Sequence, residues 1–98
     1  MLTKNKILQI LQEKKELLTQ YGVKRIGLFG SYSKNSQHKN SDIDILVDFY
    51  SEQETFDNLM TIYDILENTF KNNKIEIVTK NGLSKYIGSY ILKETEYV

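Results

Sequence analysis

Ile26-Gly27-Leu28-Phe29-Gly30-Ser31-Tyr32, followed by Asn40-Ser41-Asp42-Ile43-Asp44-Ile45-Leu46-Val47, is the stretch of this 98-residue chain on which the fold turns. Val23 to Phe29 reads as a short strand that runs into Gly30-Ser31, where a short helix could begin. The polar residues from Lys34 to Ser41 then read as a loop. From Asp42 the pattern alternates strictly, with Ile43, Ile45, Val47 and Phe49 on one face and Asp42, Asp44, Leu46 and Asp48 on the other. That is a strand packed on a core through its isoleucine face.

Upstream, Ile7, Leu8, Ile10, Leu11, Leu17 and Leu18 recur at helical spacing from about Thr3 to Gln20, and Gly22 is a natural stop. Downstream, Phe56, Leu59, Met60, Tyr63, Leu66 and Phe70 mark an amphipathic helix. Lys74 to Thr79 predicts a third strand, with Ile75 and Ile77 inward and Glu76 pointing the other way. Leu83, Tyr86, Ile87, Tyr90 and Ile91 mark a last helix, and on these stripes Tyr63, Tyr86 and Tyr90 are expected in the core. The order helix, strand, strand, helix, strand, helix suits an α/β (α+β) fold, a small mixed sheet backed by helices. The length allows one domain, residues 1–98.

Thirteen basic and thirteen acidic side chains cancel, so no global positive field draws the protein to nucleic acid or an anionic membrane. Direct nucleic-acid binding is not expected, and any polyanion must be held locally, by a loop or by metal ions. Cysteine is absent, which excludes disulfides, thiolate catalysis and zinc-thiolate sites. A lone histidine, His38, builds no histidine metal site, so any metal would be a hard cation on carboxylates. No signal peptide or membrane-length apolar run is visible, and the cytoplasm is the expected location.

Side chains two apart on a strand share a face, so Asp42 and Asp44 point together with Cα atoms roughly 6–7 Å apart. Such a pair can grip two ions ~3.5–4 Å apart, as in-line phosphoryl transfer requires. Asp48 lies about 13 Å beyond Asp44 along the strand and reads as supporting or structural. Gly30 permits close backbone approach, and Ser31 adds a hydroxyl near amides that can meet phosphate oxygens. A Gly-Ser after a strand is by itself most often a turn, and an Asp-x-Asp is often a solvated face. Together, at a set spacing, they form a candidate site. His38 reads as solvated and Lys24-Arg25 as a solvated strand edge; Tyr32, beside Ser31, is the tyrosine placed to approach a nucleotide.

Gly30-Ser31, then residues 32 to 41, then Asp42-Ile43-Asp44 resembles the Gly-Ser, ten-residue gap and Asp-x-Asp of the DNA polymerase β-like nucleotidyltransferases. The surrounding residues, Lys74-Ile75-Glu76-Ile77-Val78-Thr79, and the closing Ile91-Leu92-Lys93-Glu94 through Tyr97-Val98 resemble the minimal nucleotidyltransferase (MNT) family in particular, over nearly the whole chain. The resemblance implies that Asp42, Asp44 and Glu76 hold two Mg²⁺ ions and act in catalysis. It also implies that Gly30, Ser31 and Lys34 hold the phosphates of ATP. Two positions depart from the family pattern: Glu76 stands where Asp is usual, and Lys34 where relatives often carry Arg, losing the bidentate fork.

Larger superfamily members carry an extra domain to grip the acceptor, and this chain is expected to rely on a partner instead. The family's arrangement implies an antitoxin paired with a HEPN-domain ribonuclease toxin, acting by adenylylation of a toxin tyrosine. Two alternatives stand beside it: an antitoxin that acts by binding alone, and a nucleotidyltransferase for a small molecule or RNA held by a separate chain.

Overall fold

Each long helix begins where a hydroxyl can satisfy an orphan amide. In the computed structural model, which describes residues 2–38 and 40–98, helix α1 (Lys4–Thr19) starts at Thr3, whose Oγ1 accepts the Lys6 N–H at 3.2 Å. Helix α3 (Phe56–Thr69) starts at Thr55, which accepts from Asn58, and α4 (Lys85–Glu94) at Ser84, which accepts from Ile87. α1 ends as the sequence predicts: Gly22 takes φ +90°, a conformation that costs a residue with a Cβ.

Strands β1 (Val23–Phe29), β2 (Ile43–Phe49), β3 (Ile75–Thr79) and β4 (Glu96–Tyr97) form one mixed sheet in the order β3-β2-β1-β4. β1 is antiparallel to both β2 and β4, and β2 is parallel to β3 through the α3 crossover. A four-residue helix, α2 (Gly30–Ser33), follows β1 directly, and single 3-10 turns lie at Ser51–Gln53 and Lys80–Gly82. The core joins Ile26 and Leu28 of β1 and Ile43, Ile45, Val47 and Phe49 of β2 to Ile7, Leu11 and Leu18 of α1 and Ile62 and Leu66 of α3. Full burial of each such side chain contributes roughly 1.5–3 kcal/mol.

Several readings of the sequence are corrected. The closing residues form β4, a strand too short for any periodicity, which pairs Gly27 with Tyr97 and Leu28 with Glu96. β1 is therefore interior, and Arg25 is not a bare edge residue: its guanidinium lies 4.2 Å from the Tyr97 ring centre. Leu46, on the aspartate face, is fully buried, so that face is covered as well. Phe56 and Met60 are exposed while Ile62 and Leu66 take the buried stripe, because two apolar arcs overlap on α3 and the sheet meets only one. On α4 only Gly88 is buried; Tyr86 is 87% exposed and Tyr90 74%, against the core placement expected. Tyr63 does pack against the core, and its hydroxyl donates to the Ile77 carbonyl at 3.4 Å. Tyr32 is buried in the core and anchors α2 rather than facing a nucleotide.

Candidate active site

The site is built at one end of three neighbouring strands. Phe29, the last residue of β1, pairs with Asp44 of β2, and Asp44 pairs with Glu76 of β3. The chain turns at once into Gly30, with φ +75°, and passes so close to the Asp44 carboxylate that a Cβ on Gly30 would collide with it. Glycine is required here twice over, by the backbone angle and by the space. Gly30 and Asp44 are thus brought into contact across the polar loop that separates them in sequence.

Asp44 and Glu76 lie side by side on parallel strands, close enough to share a hydrogen bond, and Asp42 and Glu94 add negative charge nearby. Burial, and then repulsion from Glu76, push the Asp44 carboxyl up from 3.8 to about 6. Asp42 precedes β2 and is half-buried, lining a shallow cleft of about 230 Å³ with Asn40, Ser41, Asn72, Asn73 and Lys74. Among the described residues, no three His, Asp or Glu side chains already converge as a metal cage. The donor set nevertheless fits a hard divalent cation: it is all carboxylate, it is crowded, and added positive charge would relieve the repulsion at Asp44.

Asp48 belongs to another arrangement. It is buried and lies 3.6 Å from Arg25 Nε and 3.9 Å from Lys80 Nζ, a structural pairing as its distance along the strand implies. Ser31 is half-buried in α2, and its carbonyl accepts the Ser36 N–H at 2.9 Å, closing the turn. His38 is exposed, and its backbone N–H donates to Ser41 Oγ.

Lys34 is not a free cation: its Nζ lies 2.9 Å from Glu94 Oε2. Glu94 Oε1 accepts the Gly30 N–H at 3.3 Å, and the Glu94 carbonyl accepts from Ser33 Oγ at 2.9 Å. Sequence reading did not single out Glu94 as a site residue. It ends a helix 61 residues after Ser33, and nothing local marks it.

A Gly-Ser turn set against paired carboxylates, on a mixed sheet backed by helices, is the arrangement expected of a nucleotidyltransferase. The family described as nucleotidyltransferase domain matches residues 4–98, and the chain belongs to that family. A Methanocaldococcus jannaschii protein provisionally named protein adenylyltransferase is 43% identical over 84 residues, covering 85% of this chain and 95% of its own. The protein adenylyltransferase MntA of Thermococcus cleftensis is 37% identical, covering 100% of this chain and 98% of its own. A solved structure provisionally described as a minimal nucleotidyltransferase superposes with a TM-score of 0.82 over 97% of this chain and 95% of that one; at 23% identity it speaks to the fold. A toxin-antitoxin crystal structure with AMP-PNP superposes with a TM-score of 0.65 at 28% identity, covering 98% of this chain and 72% of that one. The chain is thus a minimal nucleotidyltransferase, as its motifs imply.

Proposed function

We propose that this protein transfers AMP from ATP to a tyrosine of a partner toxin, a HEPN-domain ribonuclease, and so acts as its antitoxin. The observation that carries the reading is the abutment of the Gly30-Ser31 turn on the Asp44–Glu76 carboxylate pair. A phosphate held at that turn would lie beside carboxylates able to hold metal. The names of the relatives support protein as the acceptor, and the toxin-antitoxin neighbour with AMP-PNP supports a toxin partner and an adenine nucleotide.

In this reading Asp42, Asp44 and Glu76 would hold two Mg²⁺, whose charge would offset that of the triphosphate and of the attacking oxygen. Gly30 and Ser31 position the β- and γ-phosphates. The acceptor hydroxyl attacks the α-phosphorus, its proton passing to a carboxylate, for which Glu76 is the exposed candidate. The new O–P bond forms as the bond to the bridging α–β oxygen breaks, and pyrophosphate leaves with the electron pair. The exposed Tyr86, Ile87 and Tyr90 on α4, the helix whose last residue reaches the phosphate turn, offer a protein acceptor an apolar surface beside the site.

The test is intact mass of the partner after incubation with ATP and Mg²⁺. The expected result is a gain of AMP less water per modified residue, mapped to tyrosine, with ribonuclease activity still lost after this protein is removed. An unmodified partner that regains activity on separation would refute transfer in favour of inhibition by binding. An unmodified partner alongside efficient labelling of tRNA would move the acceptor to RNA.

A further inference from the structure

We infer that Glu94 is a specificity-determining residue that occupies the phosphate turn with its own carboxylate and must be displaced by the incoming polyphosphate. This rests on the reading above, in which the Gly30-Ser31 turn receives the triphosphate, with Lys34 as the cation that the family resemblance adds.

The geometry is that of an anion already in place. One Glu94 oxygen accepts the Gly30 N–H at 3.3 Å, and the other pairs with Lys34 Nζ at 2.9 Å. Two oxygens of a phosphate group would use the same two donors. The Glu94 side chain is 25% exposed, whereas that of Lys34 is 61% exposed, so the pair sits at the open rim of the site, where one anion can exchange for another. The end of α4 does not depend on this carboxylate. Ser33 Oγ holds the Glu94 carbonyl, and β4 pairs with β1 immediately afterwards. The side chain can therefore swing away while its backbone stays fixed.

An internal carboxylate of this kind is a tethered competitor. A weakly charged anion gains little by replacing it, because the donors already have a partner. A metal-charged triphosphate brings more oxygens and engages Asp42, Asp44 and Glu76 as well, so it displaces Glu94 at a profit in free energy. When pyrophosphate has formed and lost its link to the nucleotide, the returning Glu94 competes for the same donors and favours its release.

The experiment is calorimetric titration of the full chain with inorganic tripolyphosphate and with the Mg²⁺ complex of a non-hydrolysable ATP analogue. Wild type, Glu94→Gln, Lys34→Gln and the double variant are compared. Glutamine keeps the length and the acceptor for Gly30 but removes the charge. Glu94→Gln is expected to tighten tripolyphosphate by roughly three- to fivefold, the scale of one exposed ion pair released. In the Lys34→Gln background that gain should vanish, because the contested donor is gone. An equal gain in both backgrounds would show only a general reduction of negative field and would overturn the inference. Unchanged or weaker binding in Glu94→Gln would overturn it too, the latter making Glu94 a support for Lys34. These readouts are binding alone, so a failure of nucleotide transfer to any acceptor would sink the functional reading without producing or erasing this pattern.

Discussion

Replacing Asp44 by Asn tests the crowding of the carboxylates without any assay of transfer. Asp44 titrates at about 6 in the folded protein against 3.8 for a free side chain, chiefly because it is partly buried and faces Glu76. A raised carboxyl pKa means that the fold favours the protonated form. Stability from this group is complete below 3.8 and is lost as pH rises through about 6. A shift of about two units corresponds to about 3 kcal/mol at pH 8, which solvent screening at a partly exposed site reduces to about 1–2 kcal/mol. Asparagine imitates the protonated acid in shape and neutrality. In EDTA at pH 8, Asp44→Asn should therefore melt about 5–10 °C above wild type. At pH 4.5 most of that gap should close, because wild-type Asp44 is then protonated in the fold. Adding Mg²⁺ at pH 8 should raise the wild-type melting temperature and leave the variant nearly unmoved. Thermal melts by circular dichroism across pH 4.5–8, with and without metal, read all three. A variant less stable than wild type at pH 8 in EDTA, or a gap that does not change with pH, refutes the account of the site as crowded, cation-seeking carboxylates.

Asp42→Asn and Asp44→Asn should each abolish nucleotide transfer at saturating Mg²⁺, and full activity in either would end the two-metal reading. Glu76→Gln should cost several orders of magnitude in rate while Glu76→Asp retains substantial activity; near-wild-type turnover in Glu76→Gln would assign the base elsewhere. Gly30→Ala should destabilise the fold by about 1–3 kcal/mol through its left-handed backbone angle and its collision with Asp44, visible as a lower urea midpoint. Changing Tyr86 and Tyr90 to Ser should move stability by less than about 1 kcal/mol but weaken partner binding tenfold or more, since exposed aromatic anchors matter only in a complex. Pull-down titration with the cognate toxin checks the last, and unchanged affinity would clear α4 of the role.

Much of the local structure around the candidate site was legible in the chain. Alternation placed Asp44 opposite Ile43 and Ile45, a period-two property that any strand enforces, whereas Asp42 lies one residue before β2. The polarity of residues 34–41 marked a loop, and Gly30-Ser31 after an apolar run marked the turn. Gly22 as the stop of α1 followed from the need for a positive φ. Each of these is decided within a few residues by backbone sterics or side-chain period. Glu76 could be set on the face opposite Ile75 and Ile77, but its pairing with Asp44 is a matter of register between strands that are distant in sequence.

Tertiary structure alone decided the rest, because burial depends on what lies opposite a face and not on the face itself. The stripes on α3 and α4 both look apolar, yet the sheet covers Ile62 and Leu66 and leaves Tyr86 and Tyr90 in solvent. Helical period identifies an apolar arc; only a neighbouring element determines whether it is core or surface. The last strand was hidden by its length, two residues whose pairing is supplied by the exposed edge of β1. Pairing at that edge brings Glu94 back across 64 residues to the Gly30 amide, a closeness that no local pattern encodes. The sequence by itself singled out the Gly30-Ser31 turn and the carboxylates Asp42, Asp44 and Glu76 as the candidate groups. The fold decided that a fourth carboxylate stands among them, because chain reversal and sheet pairing, not residue type, set which distant side chains meet.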